Sequence, residues 1–466
     1  MSENVKKGSG FEKSLNPLSV WSLAFGCIIG WGAFMMPGTT FLPSAGTLGT
    51  VIAMILGAVI MIIISISYSY MVKKYPQGGG EFTYTRLLLG PKNAFCCAWL
   101  LALAFVANVP MNSTALGLMS RKLFFGVFQF GKMYSVAGYD IYLGEVLLGV
   151  FALGLLSFLS IIGAQKAGFV DTLMAVALAT SFLIIVVSAL FSPITSWENL
   201  KPFWGTASGA GSKEAVRGII AVLAVTPWAY VGFGTIPQEV EEFNFSTKKV
   251  IRIMVIAILF GCTVYSCNTL VTAAASPDWT AFIAQHDWAV GAAVETLMGK
   301  PGLIVLGIAI SCAILTGMLG FLTATSRLLF FMAEQGTIPA WFCRLHPKYK
   351  TPANSILFCL VFSFVGPWFG RTALGWFVDM SAIGAAAGYG YTNLCAFLTM
   401  KKDRELSSRK GFAVLAVLGG LFSVFFLVML LVPGMPGCLT LPSYIMLAVW
   451  LILGVLFYCS RKRIRN

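Results

Sequence analysis

Apolar residues run along the chain in continuous blocks, and polar residues are confined to the joints between them. About twelve such blocks fall near residues 17–42, 44–72, 94–120, 142–163, 166–191, 216–237, 250–276, 301–331, 353–370, 372–400, 411–432 and 441–460. Each is close to the ~20 residues that a ~30 Å hydrocarbon slab requires of a helix. The blocks do not alternate with a period of two, so they predict helices rather than barrel strands. The expected fold is an all-α polytopic membrane protein. The first block is too long and too interrupted for a cleaved leader.

Two blocks break their own pattern. "CIIGWGAFMMPG" (27–38) places Gly30-Trp31-Gly32 and Pro37 at mid-depth, and "YVGFGTIPQE" (230–239) repeats the device with Gly232-Phe233-Gly234 and Pro237. A helix interrupted in lipid is tolerated only where it lines a cavity or is buried in protein. There, freed amides can hold an anionic group and freed carbonyls a cation. The breaks fall in blocks 1 and 6, five apart, so the two halves would face opposite ways across the membrane. Inverted repeats with broken first helices are a transporter signature. Helix-packing notches are the competing explanation. The expected layout is a tail at 1–16, one repeat at 17–191, a second at 216–400, two peripheral helices at 411–460 and a tail at 461–466.

Composition agrees: 58% of the 466 residues are hydrophobic and 11% charged. The net charge of +14 does not signal nucleic acid, because the cations sit in short joints. Most Lys and Arg lie on one side if the N-terminus is cytoplasmic. Lys6, Lys7, Lys13, Lys73, Lys74, Arg86, Lys92, Lys248, Lys249, Arg252, Arg344, Lys348, Lys350, the 401–410 cluster and the "RKRIR" tail then face inward. This bias predicts both termini in the cytoplasm of a cell-membrane protein. Eleven cysteines lie mostly inside apolar blocks without CxxC pairs, and the two histidines, His286 and His346, fall in joints. No metal site, cofactor or catalytic constellation is expected.

Four stretches, in order, resemble the amino acid–polyamine–organocation superfamily of permeases. "FGCIIGWGAFMMPG" is similar to its GxIIGxGIF segment, with Ala33 in the isoleucine place. "YPQGGGEFTYTRLLLGP" (75–91) is similar to P-x-GG-E-Y-x-Y. "WAYVGFGTIPQEVEEFNFSTKKVIR" resembles AYxGF…EExxNP, with Phe245 where proline is usual. "SRLLFFMAEQGTIPAWFCRLHPKYKTP" (326–352) resembles SRxxxAMARDGxLPxxF…HPKxxTP. The resemblance spans roughly 17–400. It implies a ten-helix inverted-repeat core with two peripheral helices, moving amino acids or related amines by alternating access.

Backbone chemistry then suggests the ligand contacts. The amides around Ile29, Gly30, Trp31 and Gly32 would hold a carboxylate. The carbonyls of Tyr230, Val231 and Gly232, with Ile28 or Gly26, would hold an ammonium. Trp228, Phe233 and Gly234 are selectivity candidates, with aromatic packing as the alternative for the first two. The resemblance places Gly234 where relatives of basic specificity carry a carboxylate. A cationic side chain would find no partner there, which favours a neutral amino acid. In "GAQKAGFVD" the family's span 5 lysine slot falls on Gln165, with Lys166 one residue on, rotated by about 100°. Gln165 cannot titrate. Asp171 is an intramembrane acid and so a coupling candidate, unless it simply pairs with Lys166. Ser311 and Thr316 are hydroxyls suited to the same region or to bonding their own helix. Phe321 is a gate candidate or a core residue. Glu241, Glu242, Arg86 and Arg327 form an inner-gate network or a solvated cluster. The coupling ion stays open between proton, sodium and none.

"GVFQFGKM" (126–133) matches a phosphate-loop pattern, but Met133 replaces the required hydroxyl and no strand precedes it. Asn112-Ser113-Thr114 is a glycosylation sequon inside a membrane block. The other readings are an amine or polyamine permease of the same fold, which the missing carboxylate at Gly234 disfavours, and a non-transporting substrate sensor. An enzyme is excluded for want of catalytic groups.

Overall fold

A computed structural model describes residues 11–124, 126–136, 138–205, 211–402 and 410–460. Lys6, Lys7, most of the 401–410 cluster and the basic tail lie outside the described residues. Among those described, nine helical segments have the length and apolar content to cross a bilayer. The fold is all-α apart from one hairpin, β1 (Lys132–Val136) paired antiparallel with β2 (Tyr139–Tyr142).

Block 1 divides into α1 (Pro17–Ile28) and α2 (Gly32–Met36), the latter running through a π-turn at Pro37–Phe41 into α3 (Leu42–Lys74). The start of α1 is set locally. The Asn16 side chain accepts from the Ser19 amide at 2.9 Å, and Pro17 takes the first turn, where its missing N–H leaves nothing unpaired. Then follow α4 (Gly80–Val106), α5 (Asn108–Leu123), α6 (Leu143–Ile161) and α7 (Ala164–Phe191). Block 6 comprises α8 (Ser212–Ala229) and a 3-10 helix, Val231–Glu242. Beyond it come α9 (Val250–Ala274), the short α10 (Trp279–Gln285), α11 (Ala289–Glu334), α12 (Ala353–Ser363), α13 (Gly370–Lys402), α14 (Lys410–Leu431) and α15 (Leu441–Ser460).

Two long helices turn corners by the same local device. Gly90 (φ +85°) precedes Pro91 in α4, and Gly299 (φ +67°) stands two before Pro301 in α11. The glycine adopts the left-handed backbone and the proline starts a new helix without needing its N–H. The predicted blocks at 94–120 and 301–331 therefore carry extra helix, Gly80–Leu89 and Ala289–Met298, that composition does not mark as membrane-spanning.

The core forms where α13 packs on α4, α7 on α11, and α3 on α8 and α9. Outward residues are apolar, as for Phe169, Leu173 and Leu190 of α7, which suits a surface facing lipid chains. The peripheral α15 is held by a reciprocal clasp: each indole of Trp99 and Trp450 donates to the other residue's carbonyl, at 2.9 and 3.0 Å, with the rings stacked 4.6 Å apart.

Candidate substrate-binding site

Helix α1 stops at Ile28 because the next residues leave helical geometry. Ile29 sits at φ −103°, ψ 86°, and the helix resumes only at Gly32. The Ile29 amide still bonds to Phe25. Among the described residues, the amides of Gly30 and Trp31 donate to no backbone carbonyl. The carbonyls exposed by the break are largely satisfied. Tyr265 of α9 donates to Ile28 O at 3.1 Å, Asn268 to Ala33 O at 2.8 Å, and the Trp288 indole to Phe34 O at 2.9 Å. The break is thus braced by α9 and the start of α11 and keeps its donors open. This is the polarity that suits an anionic or hydrogen-bond-accepting group.

Helix α5 supplies the facing wall. The Asn112 carboxamide donates to Asn108 O at 2.9 Å, while its Oδ1 is buried with no partner. That oxygen lies 3.4 Å from where a Cβ on Gly30 would stand. One turn back, Asn108 donates to Ser381 Oγ at 2.8 Å and accepts from the Trp228 indole at 3.0 Å. Trp228 is thereby oriented across Gly32, whose absent Cβ would come within 2.3 Å of the indole. Trp31 stands 6.3 Å from it, centroid to centroid. A cavity of about 660 Å³ reaches Trp31 from the hairpin side, its mouth lined by Arg121, Lys122, Arg371 and Asp287. The hairpin at this mouth is pinned by Arg121, which makes two bonds to Glu145 and one to Asp140 O. Lys132 and Ser135, both bonded to Asp140, hold its carboxyl below the usual range.

The second break differs from the first. At Tyr230 the chain passes from α8 directly into the 3-10 helix, and Phe233 N bonds to Tyr230 O while Thr235 Oγ1 bonds to Gly232 O. The Tyr230 and Gly232 carbonyls expected to receive an ammonium are therefore engaged, and Val231 lies in the same continuous turn. Gly232 serves close packing: a Cβ there would meet Ala24 O at 2.4 Å and Ile28 N at 2.6 Å. Phe233 turns away from the break, stacking on Tyr389 at 5.4 Å with Tyr68 on its edge. Gly234 faces a carboxylate from elsewhere, Glu81 Oε1 at 4.0 Å from the missing Cβ.

The coupling candidates separate. Gln165 and Lys166 are exposed at the start of α7, because one face of this helix turns outward and they fall on it. Asp171 is fully buried with both oxygens unpartnered, so it does not pair with Lys166. Gly26 is pressed against Thr316, whose hydroxyl bonds back to Cys312 and Ala313 of its own helix. Ser311, half-buried on α11, makes no hydrogen bond among the described residues.

On the side opposite the cavity the path is shut. Leu15 bridges Phe243, bonding Glu242 O at 2.9 Å and receiving Asn244 N at 3.0 Å. Beneath, Arg327 grips Glu242 at 2.8 and 3.4 Å, both buried, with its guanidinium 5.9 Å from the Phe11 ring centre. Glu241 instead receives the Gly78 amide at 3.0 Å, and Arg86 donates to Gln335 O at 3.0 Å. Phe321 is core, packed on Phe105 at 6.2 Å. Sequence reasoning missed Asn108, Asn112, Glu81 and Glu239. A polar residue recurring every fourth position in an apolar block, as at 108 and 112, was the available signal.

Unpaired amides at mid-depth are costly in a bilayer unless something binds them. Placed at the foot of a vestibule and shut off beyond, they belong to a small-molecule transporter. The amino acid permease family model matches residues 15–457, and the chain belongs to that family. It is 24% identical to the methylthioribose transporter of Bacillus subtilis (strain 168), over 98% of this chain and 95% of that one. It is 23% identical to the branched-chain amino acid permease BcaP of the same organism, over 97% and 93%. The serine/threonine exchanger SteT, also of Bacillus subtilis, is 24% identical over 77% of each chain.

Proposed function

We propose that this permease is a secondary transporter that carries a neutral amino acid across the cell membrane by alternating access, with residues 17–191 and 216–400 moving as inverted repeats. The observation that carries the reading is the pair of open amides at Gly30 and Trp31, facing the free Asn112 Oδ1. A carboxylate fits the amides, and an ammonium fits the amide oxygen. Trp31 and Trp228 offer apolar surface to the side chain. The names of the relatives BcaP and SteT, which refer to branched-chain amino acids and to serine and threonine, support a neutral substrate. The basic residues of the inner joints support a cytoplasmic N-terminus, so that the hairpin and cavity face outward.

Two observations keep a second reading in play. Glu81 supplies near Gly234 the carboxylate that the 3-10 helix itself lacks, which suits an amine. The methylthioribose relative suggests a thio-sugar held by Asn108 and Asn112. A thermal-shift screen of the purified protein against the twenty amino acids, common diamines and methylthioribose, with and without sodium, decides among them. A ligand stabilises by RT ln(1 + [L]/Kd). Stabilisation by diamines or the thio-sugar alone overturns the neutral amino acid assignment.

A further inference from the structure

The glycine run Gly78-Gly79-Gly80 ahead of Glu81 lies in the first inner joint and plays no part in the substrate site described above. Gly79 and Gly80 both take left-handed backbone, at φ +80° and +43°, which glycine adopts without strain. They lay the start of α4 directly on the 3-10 helix. A Cβ on Gly80 would meet Gln238 Nε2 at 2.7 Å and Pro237 Cβ at 2.9 Å, and the Gly78 amide donates to Glu241 at 3.0 Å. The turn thereby carries Glu81, in the first turn of α4, into the bundle interior, where it is fully buried.

Glu81 Oε2 accepts from the Gln238 carboxamide at 2.6 Å. The opposite corners of the same two groups, Glu81 Oε1 and Gln238 Oε1, are both buried without a partner. Each is an acceptor, so neither can satisfy the other. Arg327, the buried guanidinium on this side, is held by Glu242, and among the described residues no Lys or Arg pairs with Glu81. A buried carboxylate with a free oxygen requires a positive partner.

Gly234 faces that oxygen. Its φ lies outside the left-handed region, and beyond its own turn the one atom within 4 Å of its missing Cβ is Glu81 Oε1, at 4.0 Å. Gly232 is required by the close approach of α1, whereas Gly234 is required by neither backbone nor packing. Alanine would fit there and would lose less conformational entropy on folding. What glycine provides is room in front of the carboxylate. A proton on Glu81 needs no room, but an ion does.

We propose that a monovalent cation, sodium, sits between Glu81 Oε1, Gln238 Oε1 and Gly234 and travels with the substrate; this rests on the transport reading above. Carboxylate and amide oxygens are the ligands a hard cation prefers, and water completes the shell. The ion neutralises Glu81 and ties the 3-10 helix to α4, beside the Gly78–Glu241 bond and the Arg327–Glu242 pair that shut the path. When this side opens, the 3-10 helix moves off α4, the two oxygens part and the ion leaves to water.

Thermal unfolding of the purified protein in sodium, potassium and choline chloride at equal ionic strength, without substrate, reads the site. The wild-type midpoint is expected to rise in sodium above choline, as for any ligand of the folded state. In Gly234→Ala the methyl takes the ion's place without a clash. Its midpoint in choline should stay at or above wild type, and its sodium increment should vanish. The increment should vanish in Glu81→Gln as well and persist in the surface control Glu198→Gln. If Glu81→Gln fails to fold, Gly234→Ala decides. A wild-type midpoint indifferent to sodium overturns the proposal, whether a proton, a water or a diamine then proves to satisfy Glu81. So does an increment kept in both variants. In proteoliposomes an inward sodium gradient is expected to drive accumulation by the wild type and by neither variant; wild-type accumulation indifferent to sodium overturns the cotransport. Counterflow exchange at equal sodium serves as the separate check. If the wild type shows none with any tested substrate, the transport reading fails and the sodium increment still judges the site; if counterflow is present without increment or gradient effect, the ion site alone fails.

Discussion

The two glycines that look alike in sequence should fail differently when each is given a single methyl group. At Gly30 the backbone lies outside the left-handed region, and a Cβ would stand 3.4 Å from Asn112 Oδ1, an ordinary contact. The fold of Gly30→Ala should therefore survive, with a thermal midpoint near wild type. The methyl, however, occupies the space between the open amides and Asn112. Losing one hydrogen bond to a charged ligand group costs about 1.5–3 kcal/mol, which is roughly a tenfold to hundredfold weaker Kd. At Gly232 the methyl meets backbone on α1, Ala24 O at 2.4 Å and Ile28 N at 2.6 Å. Backbone cannot rotate away, so α1 and the 3-10 helix must separate, at a cost of about 1–3 kcal/mol or more. Gly232→Ala should thus lower the midpoint of the ligand-free protein. The assay is thermal unfolding in detergent, with and without the best ligand from the screen. Wild-type affinity in Gly30→Ala, together with wild-type stability in Gly232→Ala, would refute the assignment of one glycine to ligand and the other to packing.

Arg327→Met should destabilise by about 3–5 kcal/mol by stranding Glu242, and Arg327→Met with Glu242→Leu should recover much of that loss; unfolding midpoints of the three proteins measure it. Trp450→Phe removes the indole's hydrogen bond to Trp99 O. This should cost about 0.5–1.5 kcal/mol while ligand-induced shifts stay at wild-type size, since α15 lies apart from the break. Ser135→Cys on the hairpin should react with a membrane-impermeant thiol reagent added outside intact cells. Labelling only after lysis would reverse the orientation.

How much of this was readable beforehand depended on whether the determining physics is local. Block lengths and the break at Gly30 are local consequences of what a chain can do in lipid, and they stand in the sequence. So does the start of α1, written by Asn16 and Pro17. The corner at Gly90-Pro91 was equally local, yet its amphipathic helix Gly80–Leu89 carries too little apolar sequence to stand out. The second break misled because Gly-aromatic-Gly encodes two different outcomes. At Gly30 neighbouring side chains take the carbonyls and leave donors free. At Gly232 the backbone closes its own bonds in a 3-10 turn, and glycine is needed only to let α1 approach. Nothing within ten residues of either glycine distinguishes these cases; the difference lies in Tyr265, Asn268 and Trp288 in one and in Ala24 and Ile28 in the other.

The same reasoning explains why Asn112 was passed over as part of a sequon and why the pairing of Asp171 with Lys166 stayed open. A side chain's role in a membrane bundle depends on whether another helix brings it a partner, and adjacency in sequence says little about that. Lys166 is five residues from Asp171 and is exposed, whereas Asp171 is fully buried with no hydrogen-bond partner among the described residues. An intramembrane acid therefore identifies itself by a missing partner more than by its type. By that criterion Glu242, held by Arg327, is a structural tie, and Glu239, three residues before it with one buried oxygen unpartnered, is not. Exchanging their roles makes the contrast testable. Glu242→Gln should weaken the closed gate and lower the unfolding midpoint. Glu239→Gln should keep the midpoint near wild type. Equal effects of the two substitutions on the midpoint would show that partner count does not identify the structural tie in this cluster.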